Sequence, residues 1–126
     1  MEVVSSAPWS GRSAHSCVVH GYTIYIMGGS DGSSRLNDVW SSSDGGLTWV
    51  EDAFSAVWSP RIAHSSVVLD NKIYIMGGRD ISQYNDVWCF TPPLVTSKSV
   101  KRVVGATWFG LHVGVLVWVV SKYVKV

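Results

Sequence analysis

Charged side chains and cysteines are both scarce in this sequence. Only 15% of its 126 residues are charged, and Cys17 and Cys89 are its only cysteines. Two cysteines so far apart form neither a disulfide framework nor a zinc-binding pattern. The first ten residues contain no basic side chain and no long apolar run, so the sequence predicts no secretory signal and favours an intracellular protein.

Acidic residues are absent from the last part of the chain. Residues 1–97 carry nine acidic and five basic side chains, whereas residues 98–126 carry five basic ones and no acidic one. Such an asymmetry indicates that the tail belongs to a different environment from the body.

Glycine and tryptophan are abundant, with 12 and 7 copies, which is typical of an all-β protein with many turns. The sequence also repeats itself. Residues 9–29 read WSGRSAHSCVVHGYTIYIMGG, and residues 58–78, 49 positions later, read WSPRIAHSSVVLDNKIYIMGG. The segment NDVW recurs at 37–40 and 85–88. We interpret this as a tandem duplication of one structural unit.

Each unit is predicted to be a meander of four antiparallel strands. The run 23–27 is rich in β-branched and aromatic residues and is apolar on both faces, so its sheet must be covered on both sides. Radially packed sheets provide that cover. Asp44 followed by glycine indicates a hairpin between the last two strands. The predicted strands are 12–19, 22–27, 36–42 and 47–51 in the first unit, with 61–69 and 72–76 in the second.

The repeated motifs resemble those of the kelch-repeat family over residues 1–91. An Arg-x-x-His motif lies near each first strand, a glycine pair ends each second strand, and spaced tryptophans follow. These residues are Arg12, His15, Gly28, Gly29, Trp40 and Trp49 in the first unit, and Arg61, His64, Gly77, Gly78 and Trp88 in the second.

The resemblance implies an all-β fold, a partial kelch-type β-propeller of about two four-stranded blades. Blade one would span about 9–51 and blade two about 58–91. The family often has tyrosine where this chain has Trp40 and Trp88. The second unit has Ser97 where a later tryptophan would stand, so its fourth strand is expected to be missing or replaced.

The segment 42–49 also resembles the Asp-box of sialidase-like propellers, SxDxGxTW, through Asp44, Gly46 and Trp49. In those families the box is a turn far from the catalytic centre, so it implies architecture rather than glycosidase activity. The galactose oxidase central domain is a more distant resemblance, and its copper site needs a cysteine cross-linked to a tyrosine. Neither Cys17 nor Cys89 lies in such a pattern.

We therefore expect no catalytic residue, no metal site and no cofactor. The glycine pairs lack the lysine and the following helix of a phosphate loop. His15 and His64 are related by the repeat and have no carboxylate at ligand spacing, so each is expected to hydrogen-bond locally within its blade. Asp38 and Asp86 are expected to fix loops between blades, and Asp44 to accept backbone N–H bonds within its own turn.

The tail divides into a linker, 92–102, and an apolar segment, 103–120. This segment has 18 residues without a formal charge and basic residues on both sides, so it is a candidate transmembrane helix. His112 lies in its middle, where a polar ring is costly. A Val-rich strand that packs on the open blade, or out-of-frame sequence, are the alternatives. Charges that flank an apolar run do not indicate nucleic-acid binding.

The sequence thus predicts a non-enzymatic protein-interaction module, interpreted as a fragment of a larger propeller. We expect it to bind an unknown protein partner through the loops 30–36 and 79–84, and to self-associate because two blades leave apolar faces open. The alternatives are a membrane-tethered kelch protein, or the remnant of a galactose-oxidase-like or sialidase-like enzyme without its active site. The expected location is cytoplasmic, or tail-anchored with the kelch region in the cytosol.

Overall fold

A computed structural model describes residues 1–93 and 123–125, which contain strands and turns but no helix. The strands form two four-stranded sheets in which every neighbouring pair is antiparallel. The first sheet has the order β1-β2-β3-β4 and the second β5-β6-β7-β8. Each sheet is therefore a meander, and the predicted all-β fold of two four-stranded blades is confirmed.

The strands of the first sheet are β1 Ser16–His20, β2 Thr23–Ser30, β3 Arg35–Ser42 and β4 Val50–Ala53. Those of the second are β5 Ser65–Leu69, β6 Lys72–Met76, β7 Val87–Phe90 and β8 Tyr123–Lys125. The two sheets share one register, since Ser16 pairs with Met27 and Ser65 pairs with Met76. We refer to them as blade one and blade two.

The first strand of each blade begins four residues later than the sequence predicted. Ala14 and Ala63 have φ angles of 54° and 55°, in the left-handed region that interrupts an extended strand. The Arg-x-x-His motif therefore lies in an irregular segment that precedes the strand. The fourth strand of blade one also begins late, at Val50 rather than residue 47, because the preceding turn continues through Trp49.

The core lies between the two sheets. Blade one contributes alternate residues of its strands, and blade two contributes residues that are one position out of phase with them. Ala56 and Trp58 lie on the connection between the blades and are buried in the same cluster. The other buried members are Tyr25, Met27, Val39, Ile73, Ile75 and Phe90, and Val18, Ala53, Val68 and Trp88 pack against them.

The fourth strand of blade two comes from the end of the chain. Tyr123–Lys125 pair with β7, where Trp88 is opposite Lys125 and Cys89 is opposite Val124. The sequence predicted that the fourth strand of blade two is missing or replaced. In the structure a distant segment, β8, occupies in blade two the position that β4 occupies in blade one. The linker beyond residue 93 and the candidate membrane segment 103–120 lie outside the described residues.

Within residues 1–93 and 123–125 no helix is long and apolar enough to cross a membrane.

Deletion of residues 121–126 is expected to expose the outer edge of β7, because its ladder partner is lost. The backbone amides of Val87–Phe90 that point toward β8 should then exchange with solvent faster, whereas those of β3, still covered by β4, should not change. Hydrogen–deuterium exchange measures both strands in one sample. Equal protection of β7 in the deleted and full-length chains would contradict the pairing.

Candidate functional site

A buried arginine organises the loop end of blade one. The Arg12 side chain is 1% exposed, and its two terminal nitrogens donate to the two carboxylate oxygens of Asp38 at 2.7 and 2.9 Å. Arg12 also donates to the carbonyl of Gly28, and Trp40 Nε1 donates to Asp38 Oδ2 at 2.9 Å. One carboxylate thus joins the segment before β1 to β3.

Blade two contains the same network. Arg61 is fully buried, and it donates to Asp86 at 2.7 and 3.0 Å and to the carbonyl of Gly77 at 2.8 Å. Trp88 Nε1 donates to Asp86 Oδ2 at 2.7 Å. Bidentate arginine–carboxylate pairs are strong and geometrically specific, and a buried guanidinium depends on such partners.

The charge of Asp86 is stabilised by its donors. Hydrogen bonds from Arg61 and, to a smaller extent, from Trp88 lower the pKa of Asp86 to about 2 against the opposing effect of burial. The carboxylate therefore remains ionised far below neutral pH, and the pair with Arg61 persists. The repeat in the sequence indicated both arginines and both tryptophans, but Asp38 and Asp86 were predicted to fix loops between blades. That prediction is wrong, because each aspartate binds the arginine and tryptophan of its own blade.

The second glycine of each pair lies where no side chain fits. Gly29 and Gly78 have φ angles of 94° and 83°. A Cβ would lie 2.7 Å from the carbonyl oxygen of Ser13 at Gly29 and 2.7 Å from that of Ile62 at Gly78. The glycines allow β2 and β6 to approach the segment that carries the arginine, which brings the guanidinium within reach of the carbonyls.

His64 joins the two blades. Its Nε2 lies 2.7 Å from Ser16 Oγ of blade one, and Ser16 Oγ lies 2.6 Å from Ser66 Oγ of blade two. The expected local hydrogen bond is therefore wrong for this histidine. Burial, together with a smaller contribution from the nearby charge of Arg61, lowers the pKa of His64 to about 4, so the ring is neutral at pH 7.

The turn 42–49 is closed by its own side chains. Ser42 donates to Asp44 and accepts from the backbone N–H of Gly46, while Thr48 donates its backbone N–H and hydroxyl to Asp44. Burial raises the pKa of Asp44, but the hydrogen bonds from Thr48 and Ser42 lower it by more. All of these donors belong to the turn itself. The hydrogen bonds of Asp44 are therefore made within its own turn. This turn lies at the opposite end of the blade from the β2–β3 loop.

The β2–β3 and β6–β7 loops lie side by side at the other end. Arg35 Nε of the first lies 3.7 Å from Asp80 Oδ1 of the second. Asp31 accepts the backbone N–H groups of Ser33 and Ser34, which holds the first loop in a fixed turn. We call residues 30–36 and 79–84 the loop surface.

Blade two contributes a pocket and an exposed apolar side chain at the loop surface. A pocket of ≈ 310 Å³ is lined by Ala63, Gly78, Arg79, Gln83 and Tyr84. The ring of Tyr84, which lines the pocket, lies 4.4 Å from the guanidinium of Arg61. This wall of the pocket therefore packs against the buried Arg61–Asp86 network. Ile81, at the loop tip, is 100% exposed. An exposed apolar side chain beside a pocket suits macromolecular recognition more than chemistry.

The structure brings each Arg-x-x-His motif together with its glycine pair and its Asp-x-Trp segment. His15 and His64 also lie near each other, since the charge of His15 contributes to the lowered pKa of His64. Among the described residues, no group of three or more histidine, cysteine or acidic side chains could hold a metal ion. One feature of the sequence indicates the role of Asp38 and Asp86. They recur after 48 residues, close to the 49 residues that separate Arg12 from Arg61.

The sequence matches the family described as the KLHDC2/KLHL20/DRC7 Kelch-repeats domain over residues 2–105. That match covers blade one and the first three strands of blade two. A comparison with curated proteins finds no match.

Replacing Arg61 by lysine should destabilise the fold, because an ammonium cannot make the two parallel bonds to Asp86. We expect a loss of about 1.5–3 kcal/mol in the free energy of unfolding, measured by urea titration. Arg35→Lys is the matched control: its pair with Asp80 is exposed and should cost less than about 1 kcal/mol. Equal effects of the two substitutions would show that the network around Arg61 has no special weight.

Protonation of His64 should destabilise the fold in acid. Its folded pKa of about 4 lies below its ordinary value of 6.5, so the unfolded chain binds more protons between these values. Stability should therefore be constant above pH 6.5 and fall as the pH drops toward 4, by about 2–3 kcal/mol. Urea titrations at pH 7 and pH 4.5 measure the change, which should be smaller in His64→Gln. An identical fall in both proteins would refute the role of His64.

Proposed function

The chain belongs to the kelch-repeat family, and from this premise we propose that it binds a protein partner through the loop surface, residues 30–36 and 79–84. A kelch-repeat domain is typically a non-enzymatic interaction module. The observation that carries the proposal is the fully exposed Ile81, next to the pocket lined by Arg79 and Tyr84, on a loop held by the Arg61 network.

The loop surface is suited to binding because it is built on rigid strands. The loops begin and end at β2, β3, β6 and β7, whose ends are tied by Arg12 and Arg61. Binding residues on loops held by a stiff scaffold lose little conformational entropy when a partner docks. The bond from Tyr84 N–H to the carbonyl of Gly78 closes the second loop across its base.

The chemistry of the loop surface indicates the kind of contact. Ile81 offers an apolar anchor, and the exposed Arg79 offers a guanidinium at the rim of the pocket. Arginine and buried apolar anchors are common energetic centres of protein interfaces. We therefore propose a partner that presents an apolar side chain and an acidic group close together.

We interpret the two blades as part of a larger propeller, in which further blades would extend the same loop surface. The repeat-related positions of the 30–36 and 79–84 loops support this, because successive blades place equivalent loops around one end of a ring. No step of the proposal requires a catalytic residue or a cofactor.

Ile81→Asp should abolish partner binding, because the new charge would have to be buried without a counterion. Proximity labelling followed by quantitative mass spectrometry, with tagged wild type as reference, identifies the partners affected. We expect at least about a tenfold loss in recovery, equivalent to about 1.4 kcal/mol.

Leu47→Asp is the matched control, since Leu47 is also an exposed apolar residue but lies in the turn at the opposite end of blade one. Partners of the loop surface are those lost with Ile81→Asp and retained with Leu47→Asp. If no recovered protein behaves in this way, the loop surface is not the binding site.

A further inference from the structure

Each blade has two faces, and among the described residues only one face of each packs against another blade. Blade one packs its Tyr25 face on the Ile73 face of blade two. The other face of blade one carries Val19 and the adjoining Tyr22, which are 61% and 57% exposed. The other face of blade two carries Val67 and Leu69, which are 45% and 58% exposed. We call these surfaces, which do not face the other blade, the two open faces.

The open faces reproduce the interface that already exists between the blades. In that interface, blade one supplies Val18, Tyr25, Met27 and Val39, and blade two supplies Val68, Ile73, Ile75 and Trp88. The repeat places the same side chains on the open faces. The open face of blade two has Val67, Tyr74, Met76 and Val87 at the corresponding positions, and that of blade one has Val19, Ile24, Ile26 and Trp40.

The connection between the blades is reproduced as well. Ala56 and Trp58 are buried in the interface, and the corresponding Ala7 and Trp9 adjoin the open face of blade one. Trp58 stacks on Phe90, with ring centroids 5.9 Å apart. Blade one has Ser42 at the position of Phe90, but Trp9 packs edge-on against Trp49 instead, at 5.7 Å. Both tryptophans therefore have an aromatic neighbour.

One polar pair of the interface has an apolar counterpart on the open faces, where both of its members are replaced. Within the chain, His20 Nε2 of blade one lies 3.2 Å from Asn71 Oδ1 of blade two. The repeat places Leu69 at the position of His20, on the open face of blade two. It places Tyr22 at the position of Asn71, on the open face of blade one. A polar pair has thus become an apolar pair, so the two open faces stay complementary to each other.

We propose that a second copy of this chain docks on these faces, with blade two of one copy packed on blade one of the next. The identity of the packed residues and the paired exchange at Leu69 and Tyr22 support this occupant. Because β8 already holds the outer position of blade two, the contact consists of face-to-face packing of the sheets rather than exchange of that strand.

The contact joins two different surfaces, so it is heterologous and repeats from copy to copy. Each copy adds two blades with the rotation that relates blade one to blade two. Propellers close with ~4–8 blades, so rings of two, three or four copies are compatible with this step. The assembly should therefore have a fixed mass, a small multiple of the 13.8 kDa of one chain.

Charge exchange at Leu69 and Tyr22 tests the contact. Leu69→Glu and Tyr22→Lys each place a charge against an apolar partner residue and should each weaken assembly of the full chain at least about tenfold. The double variant Leu69→Glu/Tyr22→Lys should restore it, because the two charges face each other across the contact. Sedimentation equilibrium at several concentrations measures the mass and the dissociation constant.

Leu47→Glu is the control, since it adds a charge at an equally exposed site outside both open faces and should leave the mass unchanged. Circular dichroism establishes that every variant retains its β-sheet. The two substituted positions lie on opposite outer faces of one chain, so rescue by the double variant requires contact between copies. A monomeric wild type, a mass that grows without limit, or single variants that assemble normally would each overturn the proposal, as would a double variant that stays dissociated.

Discussion

The bidentate pair between a buried arginine and an aspartate is the interaction on which each blade depends. A guanidinium that is 0–1% exposed needs a compensating carboxylate, and Asp38 and Asp86 provide it. The same carboxylates accept the indole N–H of Trp40 and Trp88. Each arginine also donates to the carbonyl of Gly28 or Gly77, so it joins three segments that are distant in sequence and positions the loops that follow them.

The glycine pairs are a consequence of this constraint. The carbonyls of Gly28 and Gly77 accept from the arginines, which requires the second strand of each blade to pass close to the segment before the first. The next residue, Gly29 or Gly78, is then in contact with backbone atoms on which a Cβ would clash. The loop surface is rigid because this approach is close.

Packing between blades obeys a different rule. It uses alternate residues of the strands. Polar contacts supplement it, among them Ser16 with His64, His20 with Asn71, and the backbone bond from Gly29 N–H to the carbonyl of Arg61. Because the blades are repeats, the open face of each blade carries the same kinds of residue as the face that the other blade buries in the interface. A repeat protein of this kind buries its faces only in a row or a ring, and the open faces of this chain are the visible result.

The sequence by itself determined the fold class, because a duplicated unit with the strand period and paired glycines is compatible with few architectures. It also located the motif residues, since the arginines and glycines recur after 49 residues and Trp40 and Trp88 recur after 48. It could not assign partners to Asp38 and His64. Their contacts join segments 26 and 48 residues apart, and such contacts depend on how the strands pair and how the blades stack. Only the tertiary structure decided that the arginines select the aspartates of their own blade. It likewise placed the end of the chain beside β7, because an unpaired strand edge accepts any segment that satisfies its backbone hydrogen bonds.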